Sequence, residues 1–132
     1  MNPNHALKQY QHVSIETGIL NADPYRLIQI LLESALEKLN IAKGFIERNN
    51  IHDKGISISL AISIVETLQA SLNEQEGGEI AKNLSDLYTY ILQSLIEVNL
   101  YNDLKKLDEI IQLIATIKSG WDNMPRENVD NE

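Results

Sequence analysis

The sequence predicts an all-α protein, an antiparallel up-down four-helix bundle with a short N-terminal helical or cap segment. Three observations predict it. Apolar residues recur at 3/4 spacing through four long runs, clusters of two to four breakers separate those runs, and no convincing hairpin signal occurs. Runs of twenty-odd residues at 1.5 Å per residue are roughly 30 to 40 Å long, and turns that short make neighbours antiparallel. The expected organisation is an N-terminal cap segment at 1–20, the bundle at 21–122 and a disordered acidic tail at 123–132.

The elements follow in order. "ALKQYQHVSIETG" can form a short helix ending at Gly18. "NADP" then opens the first long helix, with Asp23 as N-cap and Pro24 in the first helical position. Leu27, Ile28, Leu31, Leu32, Ala35, Leu39, Ala42 and Ile46 make its stripe, and Asn49 and Asn50 end it. Asp53 is expected to cap the second helix, about 54–73. Its "GISISLAISIV" alternates like a strand, but the apolar signal continues at helical spacing through "ETLQASL", over more residues than a strand holds. The third helix, about 78–101, follows Gly77-Gly78 and carries Ile80, Leu84, Leu87, Tyr88, Ile91, Leu95 and Val98. Asn102 is expected to cap the fourth, whose stripe is Leu104, Leu107, Ile110, Ile111, Ile114 and Ile117, with Gly120 at its end.

Composition narrows the function. The 132 residues make one domain, large enough to bury a core without staples. With no Cys, disulfides, thiolate metal sites and a Cys nucleophile are excluded. The first residues lack the basic-then-apolar pattern of a signal peptide, and no apolar run approaches the roughly 18 residues of a membrane span. A cytoplasmic protein without membrane insertion is expected. The net charge of −8, from 11 basic and 19 acidic residues, opposes nucleic-acid binding, which needs Lys and Arg against phosphates.

An enzyme is not expected. The histidines are His5, His12 and His52, two in the N-terminal arm and one in an expected turn, where no dry site positions a general base. Nucleophile-elbow, phosphate-loop and zinc-protease motifs are absent. No acidic residue is followed by His three residues later, so the paired Glu-x-x-His ligands of a di-metal bundle are missing. No catalytic residue, metal or cofactor is assigned. "NEQEGGE" lacks the alternating oxygen ligands of a calcium loop, and Glu74, Glu76 and Glu79 repel a phosphate. It reads as a helix–helix corner whose glycines supply unusual dihedrals, with acids beside the next helix's positive end.

Surplus hydrophobicity is the functional signal. On a wheel of the second helix, Ile56, Leu60, Ile64 and Leu68 cover one side, while Ile58, Ile62, Val65 and Leu72 extend the apolar arc to about 240°, wider than one core-facing stripe needs. On the third helix, Ile96 and Leu100 lie off the main stripe. Central burial, dimerisation and an apolar groove for a partner's amphipathic helix all fit this excess. Tyr10, Val13 and Ile15 of the N-terminal arm are placed to lie over such a groove when no partner is present.

Residues 71–100, "SLNEQEGGEIAKNLSDLYTYILQSLIEVNL", closely resemble the signature of the flagellar secretion chaperone family FliS. The double glycine followed by E-I-A-x-N-L and L-Y-x-Y carries most of the likeness. "ALKQYQHVSIET", "DPYRLIQILLESALEKLNIAKGFI" and "AISIVETLQASL" extend it over about residues 6–122. Where members commonly show L-Y-D-G-A, this sequence has "LLESA", with Leu32, Glu33 and Ser34. The resemblance implies a bundle that binds the disordered C-terminal segment of flagellin, prevents premature polymerisation and delivers it to the flagellar type III export gate protein. It also implies that Tyr10 matters for docking to the gate. With Ile58, Ile62, Val65, Leu72, Ile96 and Leu100 taken from the wheels and Val13 and Ile15 from the arm beside Tyr10, the expected partner-binding residues are Tyr10, Val13, Ile15, Ile58, Ile62, Val65, Leu72, Ile96 and Leu100, in a monomer or weak homodimer. The alternative is a helical dimerisation or scaffold protein without a client.

Overall fold

The computed structural model describes residues 23–72 and 74–125. The cap segment expected at 1–20 and the tail beyond Pro125 lie outside them. Among the described residues there are four helices and no strand: α1 Pro24–Glu47, α2 Ile51–Ala70, α3 Glu74–Tyr101 and α4 Leu104–Asp122. Contacts join α1 to α2, α2 to α3, α3 to α4 and α4 back to α1, which closes an up-down bundle. The Ile-Ser alternation sits within α2, as a helix.

Helix starts follow side-chain chemistry. Asp23 caps α1 by accepting from the Arg26 amide at 2.8 Å, and Pro24 holds the first position, where no N–H is needed. The chain leaves α1 through Asn49 at φ +60°, a left-handed exit that Asn tolerates. Asn50, not Asp53, caps α2. Its Oδ1 accepts from the Asp53 amide, while its Nδ2 donates to Asp53 Oδ2 at 2.8 Å, so Asp53 becomes the return arm of the cap from inside the first turn. Likewise Asp103, not Asn102, caps α4, by accepting from the Lys106 amide at 3.0 Å. Asn102 takes φ +55° in the tight turn from α3. Gly120 does not end α4, which runs on to Asp122 and an Asn123 C-cap.

The core is built from Leu31, Leu32, Ala35, Leu39 and Ala42 of α1, Ile58, Ala61, Val65 and Leu68 of α2, Tyr88, Ile91, Leu95 and Val98 of α3, and Leu107, Ile110 and Ile114 of α4. This corrects the orientation expected for α2. Ile58 and Val65, expected to bind a partner, are fully buried, whereas Ile56 and Leu60, on the side of the wheel they were set against, are 49% and 45% exposed. Apolar side chains lie all round α2, so hydropathy gives the helix no inward direction. Its neighbours choose the face, and polar residues come inward with it. Lys54 is 3% exposed and donates from Nζ to the Asn99 carbonyl at 2.7 Å and to Asn99 Oδ1 at 3.0 Å. That carbonyl belongs to the last turn of α3, where intrahelical donors run out, so the lysine caps the helix it packs against.

The double glycine makes the α2–α3 corner. Gly78, at φ +57° and ψ −130°, breaks α3 after its first turn in a conformation that L side chains rarely adopt. Gly77 is needed for space: a Cβ there would lie 2.6 Å from Ala81 Cβ. The break also shifts the stripe. Ile80, expected in the core, is 79% exposed, and Ala81 takes the inward position.

Candidate functional site

One end of an antiparallel bundle gathers the start of α1, the end of α2, the start of α3 and the end of α4. Here these elements enclose an apolar cleft of about 1030 Å³. Tyr25, Leu27, Ile28 and Leu32 come from α1, Leu68 from α2, Leu72 from just past its end, Ile80, Ala81, Leu84 and Tyr88 from α3, and Ile117 and Trp121 from α4. Pro24, Met124 and Pro125 add apolar surface where the described chain begins and ends.

The wall between α1 and α4 is fixed by a reciprocal pair. The Tyr25 hydroxyl donates to the Trp121 carbonyl at 2.5 Å, and Trp121 Nε1 donates to the Tyr25 carbonyl at 3.0 Å. The two rings stack with centroids 5.3 Å apart. Outside this pair, Gln29 Nε2 donates to Asp122 Oδ1 at 2.6 Å and Lys118 Nζ pairs with Asp122 Oδ2. The hydrogen bond from Lys118, joined by that from Gln29, holds the Asp122 carboxyl below its ordinary value.

Of the polar side chains in the lining, Ser71 donates to the Leu68 carbonyl at 2.7 Å. Tyr88 differs. It is 2% exposed, and burial alone pushes its phenol up to about 12. An apolar cavity with a few placed polar groups suits recognition of an apolar segment. Among the described residues it offers no nucleophile–base pair, and no cluster of metal-ligating residues occurs there.

A shallower groove of about 430 Å³ runs along the outer side of α2 against Asn99 of α3. Gly55, Ser59 and Ser63 recur one turn apart in it, beside Ile56 and Leu60. His52 borders this groove from the first turn of α2, exposed and not in the turn expected for it.

The residues expected to bind a partner are thus divided. Leu72 lies in the cleft, Ile62 is half-buried against the core, and Ile96 and Leu100 are exposed on α3. Ile58 and Val65 are core residues and present no surface. Tyr10, Val13 and Ile15 lie outside the described residues. The wheels missed Tyr25, Tyr88, Ile80 and Trp121. Each has ordinary core spacing or an end position in its own segment, and only the closing of four helix ends brings them together.

The family described as Flagellar protein FliS matches residues 6–128. The chain belongs to the FliS family. Among FliS relatives, the flagellar secretion chaperone FliSB of Pseudomonas aeruginosa is 47% identical over 119 residues, covering 90% of this chain and 94% of its own. The flagellar secretion chaperone FliS of Salmonella typhimurium is 38% identical, covering 87% and 86%, and that of Vibrio cholerae is 35% identical, covering 92% and 90%. A crystal structure of a flagellar chaperone from bacteria shares the fold with a TM-score of 0.71 at 18% identity, over 95% of this chain and 98% of that one. No helix among the described residues is long and apolar enough to cross a membrane.

Proposed function

We propose that this FliS chain is a cytoplasmic export chaperone, not an enzyme, that binds the C-terminal segment of flagellin. The apolar cleft, in a chain of this family, is the observation that carries the reading. A segment that is disordered when free and helical when assembled has an apolar face to bury, and it folds on the surface that receives it. Sequestering that face keeps one flagellin from meeting another. Away from the cleft, the exposed pair Ile96 and Leu100 near the end of α3 and half-buried Ile62 offer further apolar surface to a client long enough to wrap the bundle. The N-terminal segment, with Tyr10, Val13 and Ile15, enters the bundle at Asp23 and Pro24, beside the cleft. In this reading it lies over the cleft in the free protein and is displaced by the client, and Tyr10 then contributes to docking at the type III export gate.

The test is filament growth. Purified flagellin from the same genome is seeded with filament fragments and followed by light scattering. An equimolar amount of this protein is expected to suppress elongation, and unchanged elongation contradicts the reading.

A further inference from the structure

The cleft is apolar but not wholly without polar groups. Among the described residues of its lining, the weak Met124 thioether aside, four side chains carry a hydrogen-bonding atom: Tyr25, Ser71, Tyr88 and Trp121. Tyr25 donates to the Trp121 carbonyl, Trp121 donates to the Tyr25 carbonyl and Ser71 donates to the Leu68 carbonyl. The Tyr88 hydroxyl has no such partner among the described residues, although the side chain is almost fully buried. Burial is also the sole cause that raises its ionisation, as expected of a phenol that no hydrogen bond holds. The hydroxyl oxygen is not sealed off, since among the described residues the buried side-chain acceptor left without a partner is Asn102 Oδ1, so the Tyr88 oxygen keeps a path to the cleft, where a bound segment can meet it.

We infer that the Tyr88 hydroxyl is the polar recognition point of the cleft, donating a hydrogen bond to a backbone carbonyl of the bound segment. The inference rests on the client reading of the cleft. An amphipathic segment seated on an apolar surface brings few polar side chains inward, so its own main chain is the acceptor at hand. Within a helix those carbonyls are already bonded, but the last four are free. Tyr88 therefore selects a client segment whose helix ends or breaks over the cleft floor. Pairing by shape alone tolerates sliding along an apolar surface, and one placed hydrogen bond sets the register.

The test pairs affinity with stability in Tyr88→Phe. Titration calorimetry uses a synthetic peptide of roughly the last forty residues of flagellin, and urea unfolding of the free protein runs in parallel. The expected result is a Kd weakened about five- to tenfold with free-protein stability unchanged. Tyr25→Phe, whose hydroxyl has an internal partner, is the comparison and is expected to lose stability. Wild-type affinity in Tyr88→Phe overturns the inference, and so does a loss of stability like that of Tyr25→Phe, which would give the hydroxyl a structural partner. If the wild-type protein binds no peptide, the client reading falls with it. If wild type and Tyr88→Phe bind equally, only the recognition point falls.

Discussion

Tyr25 and Trp121, 96 residues apart, bond to each other's main chain while their rings stack, so the first turn of α1 and the last turn of α4 are closed on one another. This joint forms one wall of the cleft and holds together the two ends of the described chain. Tyr25→Phe keeps the stack and removes one of the two bonds, leaving the Trp121 carbonyl to the Met124 amide, which donates to it at 3.1 Å. The expected loss is about 1 kcal/mol, or about 4 °C in a domain of this size, read by thermal melting under circular dichroism.

The inward face of α2 gives a second expectation. Ile58→Ala removes a fully buried side chain and is expected to lower unfolding stability by about 2 to 5 kcal/mol. Leu60→Ser, two residues on but on the exposed side, is expected to change it by about 0.5 kcal/mol or less. Urea unfolding of the two variants separates the faces, and reversed effects would restore the orientation first expected from the wheel.

The two corner glycines act differently, and alanine at each tells them apart. At Gly78 a Cβ meets no atom within 4 Å, so Gly78→Ala bears only the backbone strain of φ +57° and ψ −130°, expected at about 1 to 3 kcal/mol. At Gly77 the Cβ would meet that of Ala81 at 2.6 Å, so the α3 start must shift. Gly77→Ala is expected to disturb the cleft as well as stability. Paired melting curves and amide chemical shifts of Ala81 and Leu84 would show the difference.

Alkaline stability reports on Tyr88. Its folded phenol ionises near pH 12, above the ordinary value of 10.0, so the unfolded chain sheds that proton first. Stability is then full below pH 10 and falls towards pH 12, by about 1.4 kcal/mol per pH unit for one proton. Unfolding free energies across this window are expected to fall less steeply in Tyr88→Phe than in the wild type.

Helix number and order were legible because each run repeats at 3/4 spacing and ends at Asn, Asp or Gly. The faces were less so. α1 and α4 each carry a polar side that turns their apolar stripe inward, whereas α2 has apolar residues all round, and Ile58 was placed opposite to where it packs. Caps moved by one to three residues because adjacent Asn and Asp compete, and Asn50 captures the Asp53 amide before Asp53 can serve as a cap. Ile80 kept perfect spacing yet faces outward, because the Gly78 dihedral resets the helix phase. The cleft itself was not legible. Among the described residues, Leu72 was the one expected partner residue within it, since the lining comes from four helix ends brought together by closure of the bundle.

The central claim is that this cleft receives the C-terminal segment of flagellin. Titration calorimetry of the folded protein with that peptide tests it most directly. The expected result is one peptide per chain, a Kd of about 1 μM or tighter, and a negative heat-capacity change from apolar burial. No heat of binding at tens of micromolar, with the helical spectrum intact, would contradict it.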